Sequence, residues 1–243
     1  MKHCWLLLLL LVAGPALGQA ELPALIVEPQ EDGGSKYSVS LQLLFLMTTL
    51  TMLPTALIML TPFTRIIIIL AILRQGIGMA QTPNNQILIG LALFVTFFIM
   101  TPVLSQVNSQ ALTPYMNEEL SFTEALSRGR DPVRTFMANQ TRESDLALFT
   151  EISGATVEDP SAIPMSVLIP AFITSEMKTA FQIGFLLLLP FLVIDLVVAS
   201  ILMSMGMVML SPLVISLPFK LMLFVMVDGW GLVVGTVASS FFI

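Results

Sequence analysis

The strongest constraint on this chain is where its charge is missing. Residues 41–104 carry only two ionisable side chains, Arg65 and Arg74, and residues 161–243 carry five, Glu176, Lys178, Asp195, Lys220 and Asp228. Between these blocks, residues 105–160 hold thirteen, nine acidic and four basic. A soluble domain carries about 25% charged residues. Here they are 11%, hydrophobic residues are 56%, and the mean hydropathy is +0.92. The pattern predicts two apolar blocks of membrane helix joined by a polar segment. A net charge of −6 leaves no basic surface to neutralise phosphates, which argues against nucleic acid as a partner. The single Cys, Cys4, and the single His, His3, both lie at the N-terminus, so neither a Cys–His nucleophile nor a metal cluster can be built around them. No Gly-rich phosphate loop followed by Lys-Ser/Thr occurs. The expectation is a membrane protein that is not an enzyme and has no cofactor, metal or catalytic residues.

The chain divides into five segments. Lys2 and His3, the apolar run from Trp5 to Val12, and the small residues of Ala16-Leu17-Gly18 read as a signal peptide, 1–18, cleaved after Gly18. The alternative, a first transmembrane helix, is disfavoured because the run falls short of the ~20 residues a bilayer needs. An acidic extracytoplasmic lead (19–40) follows, then a first region of apolar hairpins (41–104). Next come a polar, helical, periplasmic segment (105–160) and a second apolar region with a Met-rich loop (161–243). Within the first region, Pro54 and Pro62 break the apolar stretch, Gly76 to Asn85 reads as a turn, and a helix from Gln86 to Thr101 is ended by Pro102. In the second, 179–219 is long enough for two spans broken at Pro190, Pro212 and Pro218, and Leu221 to Ile243 reads as a last helix. The fold class is therefore all-α, with kinked helical hairpins in four apolar units and both ends outside the cytoplasm.

Four features could carry function. Charges inside apolar blocks cost ~2.5–3.5 kcal/mol each, so they need partners or a wet cavity. Glu176 and Lys178 point about 200° apart on a helix and cannot pair with each other. Their partners must come from another hairpin or another chain. Glu176, Lys178, Asp195, Lys220 and Asp228 read either as an interface charge network, as an ion relay, or as residues snorkelling at helix ends. The prolines suggest broken helices, which channels and transporters use and which ordinary kinking also produces. Met203, Met205, Met207 and Met209 alternate just before Pro212. On a helix they would scatter, whereas in a looped backbone they would share a face and could form a compliant apolar seal. Plain core filling is the other reading. Gly231 and Gly235 form a GxxxG pair suited to close helix packing.

Longer strings point to a family. Pro170 to Phe185 (PAFITSEMKTAFQIGF) resembles a signature of the FliP family of flagellar export-gate proteins. Pro190 to Met207 (PFLVIDLVVASILMSMGM), Leu217 to Trp230 (LPFKLMLFVMVDGW), Thr61 to Gly78 and Thr82 to Gly90 are similar to its other motifs. The resemblance implies a homo-oligomer of five copies that forms a closed helical ring with FliR and FliQ, contacts other export-apparatus and rod proteins, and lies in the bacterial inner membrane at the flagellar basal body. Much of the complex would stand on the periplasmic side. It implies a gate that passes unfolded export substrates and seeds the rod. It also implies that Met205, Met207 and Met209 form the pore gasket, that Phe136 and Phe149 lie near the periplasmic lumen or exit, and that Glu176 and Lys220 make intersubunit charge contacts. The alternative is an ion-coupled transporter or proton-channel subunit using Asp195 or Glu176.

Overall fold

The computed structural model describes residues 37–79, 81–154, 163–207 and 209–241. The expected signal peptide and nearly all of the acidic lead lie outside the described residues. Every regular element within them is helical, as the all-α reading requires. The chain forms two compact units, 1–54 and 55–243.

The described part of the first unit belongs to one helix, α1 (Tyr37–Met59), which continues past the boundary with Pro54 inside it. Leu44, Phe45, Leu46, Leu50 and Met52 are exposed at successive angles around its axis. The hydroxyls of Thr48 and Thr49 turn back on the helix and donate to the Leu44 and Phe45 carbonyls, at 2.9 and 2.8 Å. A helix apolar on all sides is made to be covered by lipid or by protein.

The second unit contains α2 (Phe63–Ile77) and α3 (Asn85–Val107). A π-helical turn (Asn108–Leu112) carries α3 without a break into α4 (Thr113–Met116). Then come α5 (Phe122–Gln140), α6 (Glu143–Ser153), α7 (Met165–Ser204), α8 (Pro212–Met226) and α9 (Gly229–Ser239). Local chemistry sets the ends. Asn84 accepts from the Ile87 N–H to start α3, and Ser121 with Glu124 forms a reciprocal capping box on α5. Gly78 and Gly206, in the left-handed region at φ +91° and +74°, close α2 and α7. At Gly206 the turn is complete: its N–H reaches the Met203 carbonyl and the Met207 N–H reaches that of Leu202.

Helix α2 is the hub. Ile66, Ile69, Leu70, Leu73 and Ile77 form a buried stripe at helical spacing, and α2 packs against α7, α3 and α8. One core gathers this stripe with Leu88, Ala92, Phe191, Phe224 and Val233, and a second gathers Met137, Ile163, Val167, Leu168 and Phe172 where α5 and α6 meet α7.

Several boundaries differ from the sequence expectations. Pro102 does not end α3, and Pro170, Pro190 and Pro218 all sit inside helices. A proline removes one hydrogen bond and adds one clash, and long helices packed on both sides of it absorb that loss. The stretch from 165 to 204 is thus one helix of 40 residues, while the expected last helix breaks between α8 and α9 at Asp228, with a 64° bend. Among the described residues, two helical stretches, Asn85–Met116 and Met165–Ser204, are long and apolar enough to cross a membrane, and the bent α8–α9 pair makes a third if it is one span. Gly76 is not in a turn but in α2.

The tight helix packing also lies elsewhere than expected. A Cβ on Gly184 would stand 2.6 Å from Ile72 Cδ1, and one on Gly76 would collide with Leu188, so these two glycines let α2 and α7 approach. Gly235, by contrast, faces open space, and Gly231 is shielded by its own neighbour Asp228. The face of α9 buried within the chain carries Val233 and Val237 instead.

Candidate functional site

Five of the seven ionisable residues of the apolar blocks, Arg65, Glu176, Lys178, Asp195 and Lys220, enter three polar clusters along α7. The deepest surrounds Arg65, on the first turn of α2. Its Nε donates to Glu176 Oε2 at 2.9 Å and its Nη2 to Glu176 Oε1, a two-pronged pair with both side chains buried. Nη1 donates to the Ser240 carbonyl (3.2 Å) and hydroxyl (3.0 Å), and Nη2 also reaches Gln140 Oε1 at 3.4 Å. The Phe241 ring lies 3.8 Å from the guanidinium carbon, a cation–π contact. One side chain on α2 thereby joins α5, α7 and the segment after α9.

The second cluster is at the start of α6. Lys178 donates to Asp145 Oδ1. Asp145 is 1% exposed, Lys178 is half exposed, and Asp145 Oδ2 has no hydrogen-bond partner among the described residues. Nearby, the Arg142 backbone N–H donates to Ser175 Oγ at 3.0 Å, and its guanidinium donates to Thr179 and Gln182. These bonds fix α6 against α7.

The third cluster joins α7 to α8. Lys220 Nζ donates to Asp195 Oδ2 at 2.6 Å and to the Gly76 carbonyl at 3.0 Å, while Ser216 Oγ donates to Asp195 Oδ1 at 2.5 Å. Lys220 is buried and Asp195 retains 29% side-chain exposure. Both line a cleft of about 390 Å³ walled by Ile72, Phe185, Leu188 and Leu192.

The charges therefore do not need another chain to be neutralised. Glu176, Lys178, Asp195 and Lys220, whose partners could have come from another hairpin or another chain, are each paired inside one chain, and Glu176 and Lys220 do not bond each other within it. The physical reason is that α2, α6 and α8 all pack on α7 and bring their own counter-ions. Asp228 makes no ion pair among the described residues. It sits at the α8–α9 corner in the left-handed region, φ +48°.

The methionines occupy the α7–α8 connection. Met203 is in the last turn of α7, Met205 caps it, and Met207 and Met209 follow the Gly206 turn. All four are exposed, Met209 completely. The Gly206 turn interrupts the extended run that would have aligned them on one face. Phe136 and Phe149 are both partly buried against the second core, with Phe136 edge-on to Phe172 at 6.1 Å and stacked on Phe241 at 6.5 Å. Within one chain they are packing residues. Among the described residues no group of His, Cys, Asp and Glu could hold a metal ion.

Sequence reasoning missed Arg65 and Asp145. Arg65 could have been found, since it is one of two cations in 64 apolar residues and had to have an acid. Asp145 had no such signal, being one of nine acids in a polar segment.

The FliP family pattern matches residues 46–237. A flagellar biosynthetic protein FliP of Pectobacterium carotovorum is 54% identical over 224 residues, covering 92% of this chain and 87% of that protein. One from Cereibacter sphaeroides is 54% identical over 210 residues, covering 86% and 70%. One from Bacillus subtilis is 50% identical over 207 residues, covering 84% and 93%.

Proposed function

The chain belongs to the FliP family of flagellar biosynthetic proteins, and on that premise we propose that it is the pore-forming subunit of the flagellar protein export gate. As a family member it is a component of the flagellar export apparatus with membrane-capable helices. In our reading it lies in the inner membrane at the basal body, passes unfolded flagellar subunits, and seeds the rod. Five copies would close a ring with FliR and FliQ, much of it on the periplasmic side.

The observation that carries this reading is α7. Its 40 residues make a rod about 60 Å long at 1.5 Å per residue, twice the ~30 Å of bilayer hydrocarbon. Fitting such a rod inside the hydrocarbon needs a tilt of roughly 60°, beyond the usual 0–40°. Yet only 11% of its most apolar window is buried within the chain. Lipid alone covers too little of the rod, and sister subunits supply the rest. In the ring, Met205, Met207 and Met209 form the gasket, and Phe136 and Phe149 back the periplasmic exit. The exposed Gly231 and Gly235 admit a neighbouring helix. Lys178 and Asp195, still partly exposed, and Asp228, which has no ion pair among the described residues, are the charges that would reach an adjacent subunit. Glu176 and Lys220 act from within by holding the hairpins.

Replacing Met207 and Met209 with Ala should leak small solutes through assembled complexes while export persists, and an unchanged leak would remove the gasket. Native mass spectrometry of the purified complex counts the copies. An ion-coupled transporter would need Asp195 or Glu176 to take an ion; Arg65 occupies both Glu176 oxygens, and Ser216 and Lys220 each bond one oxygen of Asp195.

A further inference from the structure

We infer that Asp195, Ser216 and Lys220 form a rivet that positions the methionine loop, and that the hairpin beyond it is a compliant tip. The inference rests on the gasket reading of that loop.

The rivet is the point where three elements are tied by one ammonium group. Lys220 Nζ bonds the Asp195 carboxylate on α7 and the Gly76 carbonyl on α2, and Ser216, one turn earlier on α8, holds the other carboxylate oxygen. Gly76 is also the residue whose missing side chain lets Leu188 approach, so the tie is made at one of the two points where a glycine lets α2 and α7 come together. Beyond the rivet the packing stops. Of the described residues from Leu196 to Ile215, only Leu202 is buried. Nine residues of α7 lie past Asp195, an arm of roughly 14 Å at 1.5 Å per residue. That arm, the methionine loop and the first turn of α8 form one exposed apolar segment with no ion pair among its described residues. Leu202 apart, the loop's position is thus set mainly at its base, by three hydrogen bonds. A seal built this way has a fixed root and a tip soft enough to yield to a passing chain. These three are positioning residues. They need not touch the cargo.

The test is hydrogen exchange measured by mass spectrometry on the detergent-purified complex, with solute leak as a second readout. Lys220→Met, which keeps the stem and deletes the donors, should make amides in 196–216 exchange about tenfold faster or more, while those in 165–180 stay protected. Lys220→Arg should keep both regions near wild type. Lys220→Met should also leak solutes as the Met207→Ala, Met209→Ala double variant does, although that double variant leaves exchange at the base unchanged. Two results would overturn the rivet: unchanged exchange in 196–216 in an intact complex, or faster exchange spread equally over 165–180 and α2, which marks general destabilisation. Faster tip exchange without leak, in a complex whose methionine variants do leak, overturns the positioning role. If the methionine variants themselves do not leak, the gasket reading fails while the exchange data still decide the rivet.

Discussion

The two halves of α7 share one helix and meet opposite surroundings. From Met165 to Ala180 the helix is enclosed: Val167, Leu168, Ala171, Phe172, Ser175, Glu176 and Ala180 are buried, and Met177 is its one strongly exposed large apolar residue. This half is also the polar one, where Ser175, Glu176, Lys178 and Thr179 bond α2, α5 and α6. From Phe181 to Ser204 the helix is almost wholly apolar, and Phe181, Phe185, Leu186, Leu192, Val193, Leu196 and Met203 are all exposed. Burial here follows the availability of partners and not hydrophobicity. The polar half is covered because its hydrogen bonds can only be met by specific neighbours, and the apolar half is left open for lipid and other subunits. The difference separates two jobs, holding the subunit together and presenting it to an assembly.

The sharpest way to break this contrast is at Arg65. Arg65→Met leaves Glu176 buried and unpaired, which should cost about 3–5 kcal/mol and abolish recovery of the assembled complex. Adding Glu176→Gln should restore much of the loss in thermal unfolding. A double-mutant cycle on Glu176 and Lys220 should instead be additive within about 0.5 kcal/mol, since 19 helical residues, roughly 28 Å, separate Glu176 from Lys220's partner Asp195. Next in size is Gly184→Leu, which drives a side chain into Ile72 and should destabilise by about 1–3 kcal/mol. Gly235→Leu meets open space in the chain, so its effect should appear only in the yield of oligomer on native gels. A comparable loss, about 1–3 kcal/mol, is expected for Lys178→Met, which strands the Asp145 carboxylate with neither oxygen satisfied. Chemical denaturation of the purified protein measures it.

The smallest effect is a pH dependence outside the spans. The Ser121 hydroxyl, and then its backbone N–H, donate to Glu124 and hold its carboxyl below the ordinary 4.5. A carboxyl lowered in the folded state stabilises while ionised. Its contribution is therefore present above pH 4.5 and is lost as the pH falls through the folded value. Amides in the first turn of α5 should exchange faster on acidification, and Glu124→Gln should flatten that response without touching α7.

The sequence displayed the helices and hid their companions. Charge depletion marked both apolar regions. The prolines misled because their effect depends on where they fall: Pro62 and Pro212 sit at helix starts, while Pro102, Pro170 and Pro190 lie inside helices that continue on both sides of them. The glycines that pack helices within the chain are a different pair from the one the spacing singled out. GxxxG spacing drew attention to Gly231 and Gly235, but close approach depends on which face meets a neighbour, and that face carries Gly76 and Gly184. Charge arithmetic showed that Glu176 and Lys220 needed partners. It could not say which, because Arg65 is 111 residues away from Glu176 in the chain, and only the fold brings them together.

Arg65 also sets a timetable. Its partners are made 75, 111 and 175 residues after it. At roughly 5–20 residues per second, synthesis reaches Ser240 some 10–35 s after Arg65 has left the ribosome's active centre. Until then a nascent chain holds a guanidinium without its full set of acceptors next to a stretch of isoleucines that the finished fold buries in its core. The Arg65 cluster therefore closes only after Ser240 has been made, so this tie is among the last that the chain can form.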